Sequence, residues 1–274
     1  MIIVSARGRV VRWALGCVVV GGLLLRPGIA AGQERDPAEV MRRVQRQDTA
    51  SDERVDFTMR LIDASGRIRK RTGTVYERQV APGSLDEMRL IRFHSPPDFR
   101  RSGVLTVEHP DRDNDQWMYL PAYHTTRRVA AANRGNRYLG TDFFYEDIMR
   151  AKTEEYRYTI RGEETLQGVR CLVIEAVPVA EKLRRETAYS KTVNWVDPRR
   201  SVILRVDYYD REQAFFKRLT MSGVERLSGK YRWREMRMED FARRHVTIVT
   251  YHGRKIGAGV PKRHFTERYL KRGR

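Results

Sequence analysis

An alternation of apolar and polar residues recurs along most of this 274-residue chain and constrains its fold more than any other feature. It is clearest where Val55, Phe57, Met59 and Leu61 alternate with polar residues. Because successive side chains of a strand point to opposite faces, a period of two predicts strands with one buried face. Turn signals separate these runs. We predict strands over residues 52–61, 67–79, 86–94, 102–109, 115–120, 124–131, 154–163, 168–178, 187–196, 201–210, 213–224, 230–240 and 244–251.

Many short strands in succession favour a meandering antiparallel sheet over βαβ units. We therefore predict a mainly β fold, a half-open antiparallel β-barrel of about eleven strands with a short helical lid and an N-terminal helix. Residues 36–39, Asp-Pro-Ala-Glu, are typical of a helix start, with Asp as the cap and Pro at the first helical position. Val40, Met41 and Val44 follow at helical spacing. We expect residues 33–274 to form a single domain.

The start of the chain has the pattern of a secretory signal peptide. A stretch with three arginines precedes an apolar run from Trp13 to Leu25, and small residues follow up to Gly32. Cleavage after Ala30 or Gly32 fits this pattern, and an uncleaved anchor is the alternative. We expect residues 1–32 to be removed and the protein to reach the periplasm.

Removal of this segment would leave Cys171 as the only cysteine, which excludes an intramolecular disulfide. Cys171 lies in the apolar run 169–177 and is most simply a small buried side chain. A catalytic thiol would need a nearby histidine and an electropositive opening, and nothing in this run supplies them.

The net charge of +19 comes mainly from arginine. In an exported protein, arginine suits the phosphates and carboxylates of an anionic membrane surface or of an acidic protein, and we expect no nucleic acid partner. A generally basic, solvated surface is the alternative.

Recognised catalytic and metal-binding motifs are missing from the sequence. Residues 111–115 begin like a calcium loop, but Gln116 stands where Gly is required and Ala122 where Glu is required. The histidines form no H-E-x-x-H, and neither a G-x-S-x-G elbow nor a P-loop occurs. We therefore expect no enzyme, no metal and no cofactor.

The stretch from Trp117 to Ile148 passes from an aromatic strand through a basic loop into a short amphipathic segment. We predict that the Asp142 side chain caps a helix at the start of that segment. Phe143, Phe144 and Ile148 would form its apolar face. Such a helix would act as a lid over the mouth of the sheet.

Two parts of this stretch, Trp117-Met-Tyr-Leu-Pro121 and Gly140-Thr-Asp-Phe-Phe-Tyr-Glu-Asp147, resemble outer-membrane lipoprotein-sorting proteins, relatives of the Lol-type periplasmic carriers. Matches flank it at residues 92–106 and 189–210, and the resemblance extends from about residue 36 to the end. It implies a curled sheet with an apolar cavity. It also implies a periplasmic carrier or chaperone that takes a lipid or lipoprotein acyl chain toward the outer membrane.

We predict that one group of residues binds lipid or covers the cavity: Trp117, Tyr119, Leu120, Phe143, Phe144, Tyr145 and Ile148. Arginines in or beside the matched stretches are predicted to contact a head group or a partner: Arg127, Arg128 and Arg134, with Arg92, Arg100 and Arg101 as further candidates. Family members also occur with RND-type exporters, so an inner-membrane transporter of that type is an implied partner. The alternatives are a docking or accessory protein of such an exporter without lipid cargo, and a small hydrolase of envelope lipids.

Overall fold

A computed structural model describes residues 36–273, so the predicted signal peptide lies outside the described residues. Helix α1 spans Pro37–Asp48, α2 spans Glu181–Glu186 and α3 spans Glu267–Arg272. The strands are β1 Asp52–Ile62, β2 Ile68–Gln79, β3 Glu87–Ser95, β4 Gly103–Val107, β5 Asp115–Leu120, β6 Thr125–Arg128, β7 Tyr156–Leu166, β8 Val169–Pro178, β9 Lys191–Asp197, β10 Val202–Tyr209, β11 Phe215–Ser222, β12 Glu225–Leu227, β13 Lys230–Arg232, β14 Glu235–Asp240 and β15 His245–Ile256.

Thirteen of these strands form one antiparallel sheet in the order β6-β5-β4-β3-β2-β1-β15-β14-β11-β10-β9-β8-β7. Most neighbours in the sheet are also neighbours in sequence, as expected of a meander. The pairing of β1 with β15 joins the beginning of the described chain to its end. Strands β12 and β13 form a separate small hairpin.

The prediction of a half-open barrel with about eleven strands is corrected in both closure and number. The sheet is open, because its edge strands β6 and β7 do not pair with each other. Strand β6 is only four residues long, and β7 carries charged residues and a register shift between Ile160 and Gly162. Short, charged or bulged edges resist further pairing, which explains why the sheet stays open.

The two faces of the sheet carry different cores. The inner face, which bears Phe57, Met59 and Leu219, packs against residues 138–145. The outer face of β3, β4 and β5 is covered by α3, whose Leu270 is fully buried. Helix α1 packs Val40 on β8 and β9, on the same side as the inner face.

The helix start predicted at residues 36–39 is confirmed, since the Asp36 carboxylate accepts a hydrogen bond from the Ala38 N–H at 2.9 Å. The predicted burial of Cys171 is also confirmed, in a cluster with Trp195 and Leu204 on the outer face. Burial raises the pKa of its thiol, which disfavours the reactive thiolate. Within residues 36–273, no helix combines the length and hydrophobicity needed to cross a membrane.

Candidate functional site: an apolar cavity under a clamped segment

The inner face of the sheet encloses a cavity of about 450 Å³. This volume lies within the usual range of ligand pockets, about 300–1,000 Å³. Strands from both halves of the sheet contribute apolar side chains to the wall, among them Val55, Phe57, Met59, Val75, Ile91, Val206, Leu219, Met221, Met236 and Val249. An apolar cavity of this size within a close-packed protein is suited to a hydrocarbon ligand.

Residues 137–150, which we name the covering segment, lie against the inner face. The segment is not a helix but a loop with two short 3-10 turns, Tyr138–Gly140 and Glu146–Ile148. The Tyr138 N–H donates to the Phe143 carbonyl at 2.8 Å, which folds the segment back on itself. Leu139 and Gly140 supply the left-handed backbone of the bend, with φ of 48° and 75°. The predicted helical lid is therefore replaced by a compact loop.

Asp142 does not cap a helix, so that prediction is wrong. Its side chain is fully buried, and its carboxylate accepts a hydrogen bond from the Thr247 hydroxyl at 2.6 Å. The same carboxylate lies 2.6 Å from Nδ1 of His245 and 3.3 Å from the Arg243 guanidinium. These partners come from β15 and the turn before it, about a hundred residues away, so a local pattern could not reveal them.

Asp147 clamps the other end of the covering segment to the sheet. Its carboxylate accepts hydrogen bonds from Lys217 at 2.6 Å, from the Tyr189 hydroxyl at 2.7 Å and from the Phe144 N–H at 2.6 Å. The Lys217 ammonium lies 3.6 Å from the centre of the Phe144 ring and 4.8 Å from those of Tyr189 and Tyr208. An ammonium surrounded by aromatic faces and one carboxylate keeps favourable partners although it is fully buried.

Glu146 supplies a third attachment. It accepts hydrogen bonds from the Thr187 hydroxyl at 2.6 Å and from the Ala188 N–H at 2.9 Å. Burial raises the pKa of Glu146 to about 7, and repulsion from Asp147 adds to the effect. All three carboxylates of the motif that carries the family resemblance thus bind the covering segment to the rest of the molecule.

Ion pairs occupy a second polar region of the cavity wall, next to α1. Arg232 lies 2.7 Å from Glu53, and Arg150 lies 3.0 Å from Asp48 and 2.8 Å from Glu87. Further members are Arg89, Glu77 and Arg254. Burial raises the pKa of the Glu87 carboxyl to about 8. This network was not predicted from the sequence, although Glu53 lies on the same alternating face of β1 as the apolar wall residues, which indicates a buried charge.

The structure brings only some of the predicted site residues to the cavity. Phe143, Ile148 and Arg134 line it. Phe144 and Tyr145 are buried on the side of the covering segment that packs against the sheet.

The predicted aromatic strand residues lie elsewhere. Trp117 and Tyr119 face the outer core under α3, whereas Met118, between them, packs on the inner face. Leu120 ends β5 and is half-buried, outside the cavity wall. An aromatic strand predicts a buried face but does not specify which face that is.

The arginines that were predicted to contact a head group or a partner also lie in different parts of the structure. Arg134 pairs with Glu186 at 3.1 Å at the cavity, whereas Arg127 and Arg128 are exposed on the edge strand β6. Arg128 pairs with Asp115 at 2.5 Å. The candidate Arg92 is buried and donates to the Tyr269 carbonyl at 2.6 Å, so it holds α3 in place and does not face solvent.

Comparisons with known proteins identify a matching family model and several similar structures. A family model described as an uncharacterized protein matches residues 85–272. A DUF1329 family protein from Desulfovibrio piger is 27% identical over 86% of this chain and 100% of its own, with a TM-score of 0.80. A domain described as an outer membrane lipoprotein-sorting protein, from Vibrio parahaemolyticus, is 25% identical over 86% of this chain and 98% of its own, with a TM-score of 0.79.

A LolA superfamily protein from Nitrosomonas europaea shares the fold, with 17% identity, a TM-score of 0.67 and coverage of 86% of this chain and 99% of its own. No protein of curated function matches the chain. These neighbours confirm the resemblance found in the sequence motifs.

Proposed function

We propose that the chain, which belongs to the family of uncharacterized proteins whose model matches residues 85–272, is a periplasmic carrier that binds a lipid or a lipoprotein acyl chain. Its structural relatives include Lol-type and lipoprotein-sorting proteins. The single observation that carries the proposal is the apolar cavity of about 450 Å³ on the inner face of the sheet. Transfer of the cargo toward the outer membrane is part of the same proposal.

The energetics favour an acyl chain as cargo. Burial of hydrocarbon gains about 0.8 kcal/mol per methylene, so a long chain supplies ample binding free energy from the cavity wall alone. The wall includes Met59, Met149, Met221 and Met236, whose flexible thioethers adapt to chains of different shape. A carrier must also release its cargo, and an adaptable wall limits how tightly any one chain is held.

Blocking the cavity tests the proposal. Val249 lines the cavity, so Val249→Trp should fill it, while the half-buried Val246 of the same strand lies outside the cavity wall. We expect native mass spectrometry to detect lipid on the gently purified wild-type protein. We expect Val249→Trp to weaken binding of a fluorescent fatty acid at least about tenfold, because a side chain replaces the space of several methylenes.

The control variant Val246→Trp should bind the probe like the wild type, and thermal unfolding of both variants verifies that they fold. Equal binding by Val249→Trp and the wild type would place the ligand elsewhere. A wild-type protein that carries no lipid and binds no acyl probe would contradict the carrier function and favour a docking protein without cargo.

A further inference from the structure

Two phenylalanines lie exposed side by side where two neighbouring hairpins turn. Phe215 follows the turn between β10 and β11, and Phe241 lies in the turn between β14 and β15; β11 and β14 are paired in the sheet. Their side chains are among the exposed large hydrophobic groups, at 39% and 45% exposure, and their ring centres are 5.1 Å apart. The Phe241 N–H donates to the Phe216 carbonyl at 3.0 Å, which fixes one turn against the other strand. We name this pair and its turns the aromatic tip.

The aromatic tip is a patch of several exposed side chains and not a single exposed residue. Single exposed apolar residues are common in proteins and need no explanation, whereas adjacent exposed aromatics form a contiguous patch. Tyr209 extends the patch, with its ring centre 6.0 Å from that of Phe215. Such a patch costs free energy in water unless another apolar phase covers it.

One arginine lies beside both rings, and two more follow in the turn that holds Phe241. The Arg218 guanidinium lies 5.1 Å from the centre of the Phe215 ring and 6.0 Å from that of Phe241. Arg243 and Arg244 follow Phe241 in the same exposed turn. Among the acidic groups nearby, Asp207 is paired with Arg218 and Asp210 accepts from the Ala214 N–H within its own turn, whereas Glu212 is exposed in that turn beside Arg211. Exposed aromatic rings beside arginines are the combination that interfacial proteins present to phospholipid.

The aromatic tip also adjoins the cavity wall. Phe216 lies next to Phe215 in the chain, and its ring centre is 6.2 Å from Phe144 and 6.1 Å from Tyr189. Tyr189 lines the cavity. In the other turn, Arg243 contacts Asp142 of the covering segment. A membrane that touches the tip would therefore lie close to the segment that covers the cavity.

We propose that the aromatic tip, formed by Phe215, Phe241, Arg243 and Arg244, is the surface by which the protein contacts an anionic phospholipid membrane. The phenylalanines enter the boundary between head groups and acyl chains, and the arginines bind lipid phosphates. This proposal builds on the carrier function, since a carrier of membrane lipid collects or delivers its cargo at a bilayer. Charge complementarity between an Arg-rich tip and anionic lipid selects a membrane over an apolar protein partner.

The test measures binding of the full mature chain to vesicles of phosphatidylglycerol and phosphatidylcholine, and to vesicles of phosphatidylcholine alone. We compare the wild type with Phe215→Ser/Phe241→Ser, with Arg243→Gln/Arg244→Gln, and with the control Ile68→Ser, which changes an exposed apolar residue of another hairpin. We expect the phenylalanine variant to bind anionic vesicles at least about tenfold more weakly, because two partly exposed rings lose their burial in lipid. The arginine variant should lose the preference for anionic vesicles.

Binding by both variants equal to that of the wild type and of Ile68→Ser would overturn the proposal, as would a wild-type protein that binds neither vesicle. Uptake of a fluorescent fatty acid from solution, without vesicles, is measured in parallel. Normal uptake by the phenylalanine variant, together with its loss of vesicle binding, supports the tip as a separate contact surface. A protein that binds vesicles through the tip but takes up no fatty acid would contradict the carrier function and leave the membrane contact standing.

Discussion

At the scale of single residues, Lys217 is the most unusual group of the molecule. Its side chain is fully buried in the inner face, where Asp147 and three aromatic rings surround it. Burial lowers the pKa of its ammonium, and the charge of Asp147 acts against that shift. Removing one partner of such a pair leaves an uncompensated buried charge, whereas replacing both can be nearly neutral.

We therefore expect Lys217→Met to lower the free energy of unfolding by about 3 kcal/mol, and Lys217→Met/Asp147→Leu to lower it less than the sum of the two single changes. Urea denaturation of the four proteins of this double-mutant cycle measures the coupling. Lys70→Met, at an exposed position, is the control and should change stability by less than about 0.5 kcal/mol. Additive effects in the cycle would show that the pair does not act as a unit.

Glu146 gives the same motif a dependence on pH. Burial and the neighbouring Asp147 raise the pKa of Glu146 from 4.5 to about 7 in the folded protein. The folded state thus holds this proton more tightly than the unfolded chain does. The stabilisation is fully present below the unfolded pKa and is lost as the pH rises toward the folded value.

We expect the stability of the wild type relative to Glu146→Gln to fall by on the order of 2–3 kcal/mol between about pH 5 and about pH 7, and then to level off. Chemical denaturation of both proteins across this range measures the difference, in which the other titrating groups common to both proteins largely cancel. A constant difference would mean that Glu146 is ionised in the folded protein throughout.

At the scale of elements, the covering segment combines a clamp with a cavity wall. The Lys217 ammonium lies against both Phe144 and Tyr189, whose parallel rings have centres 5.7 Å apart, so Phe144 helps to hold the covering segment on the sheet. Phe143 lines the cavity and belongs to the wall. The two adjacent phenylalanines therefore carry different tasks.

We expect Phe143→Ala to speed release of a fluorescent fatty acid about tenfold, because the bound chain loses part of its cover. Phe144→Ala should mainly reduce stability. Stopped-flow release from each variant is compared with that from Phe99→Ala, a change on the inner face outside the cavity wall. Release from Phe143→Ala at the wild-type rate would remove the covering role of that ring.

The sequence predicted most strands but not every face. In β10 the residues Val202, Leu204, Val206 and Tyr208 alternate without a break, which predicts one buried face. A register shift between Ile203 and Arg205 divides them, so the first two pack on the outer face and the last two on the inner face. A bulge inserts one residue and reverses the facing of the side chains beyond it, and a period of two cannot reveal it. The predicted strand at residues 230–240 is divided into β13 and β14, and β12 was not predicted, because three-residue strands are too short to show a period.

In the complete fold, the candidate site depends partly on contacts between residues that are far apart in the sequence. These contacts limit how much of the site could be predicted from the sequence. The apolar wall follows from the alternation, so a cavity or a core on one face was predictable. The ion pair of Glu53 with Arg232 joins residues 179 positions apart, and the bond between Thr247 and Asp142 joins residues 105 positions apart. Such pairs depend on the sheet order and on the pairing of β1 with β15, which local patterns do not encode.

The unpaired edges β6 and β7 have a mechanical consequence for the proposed carrier function. In a closed barrel, strand number and shear fix the radius, and any widening breaks ladder hydrogen bonds. Here the curvature of the sheet can relax at its free margins while every ladder stays intact. For the proposed carrier, we therefore expect the width of the cavity to adjust to the thickness of the ligand that it binds.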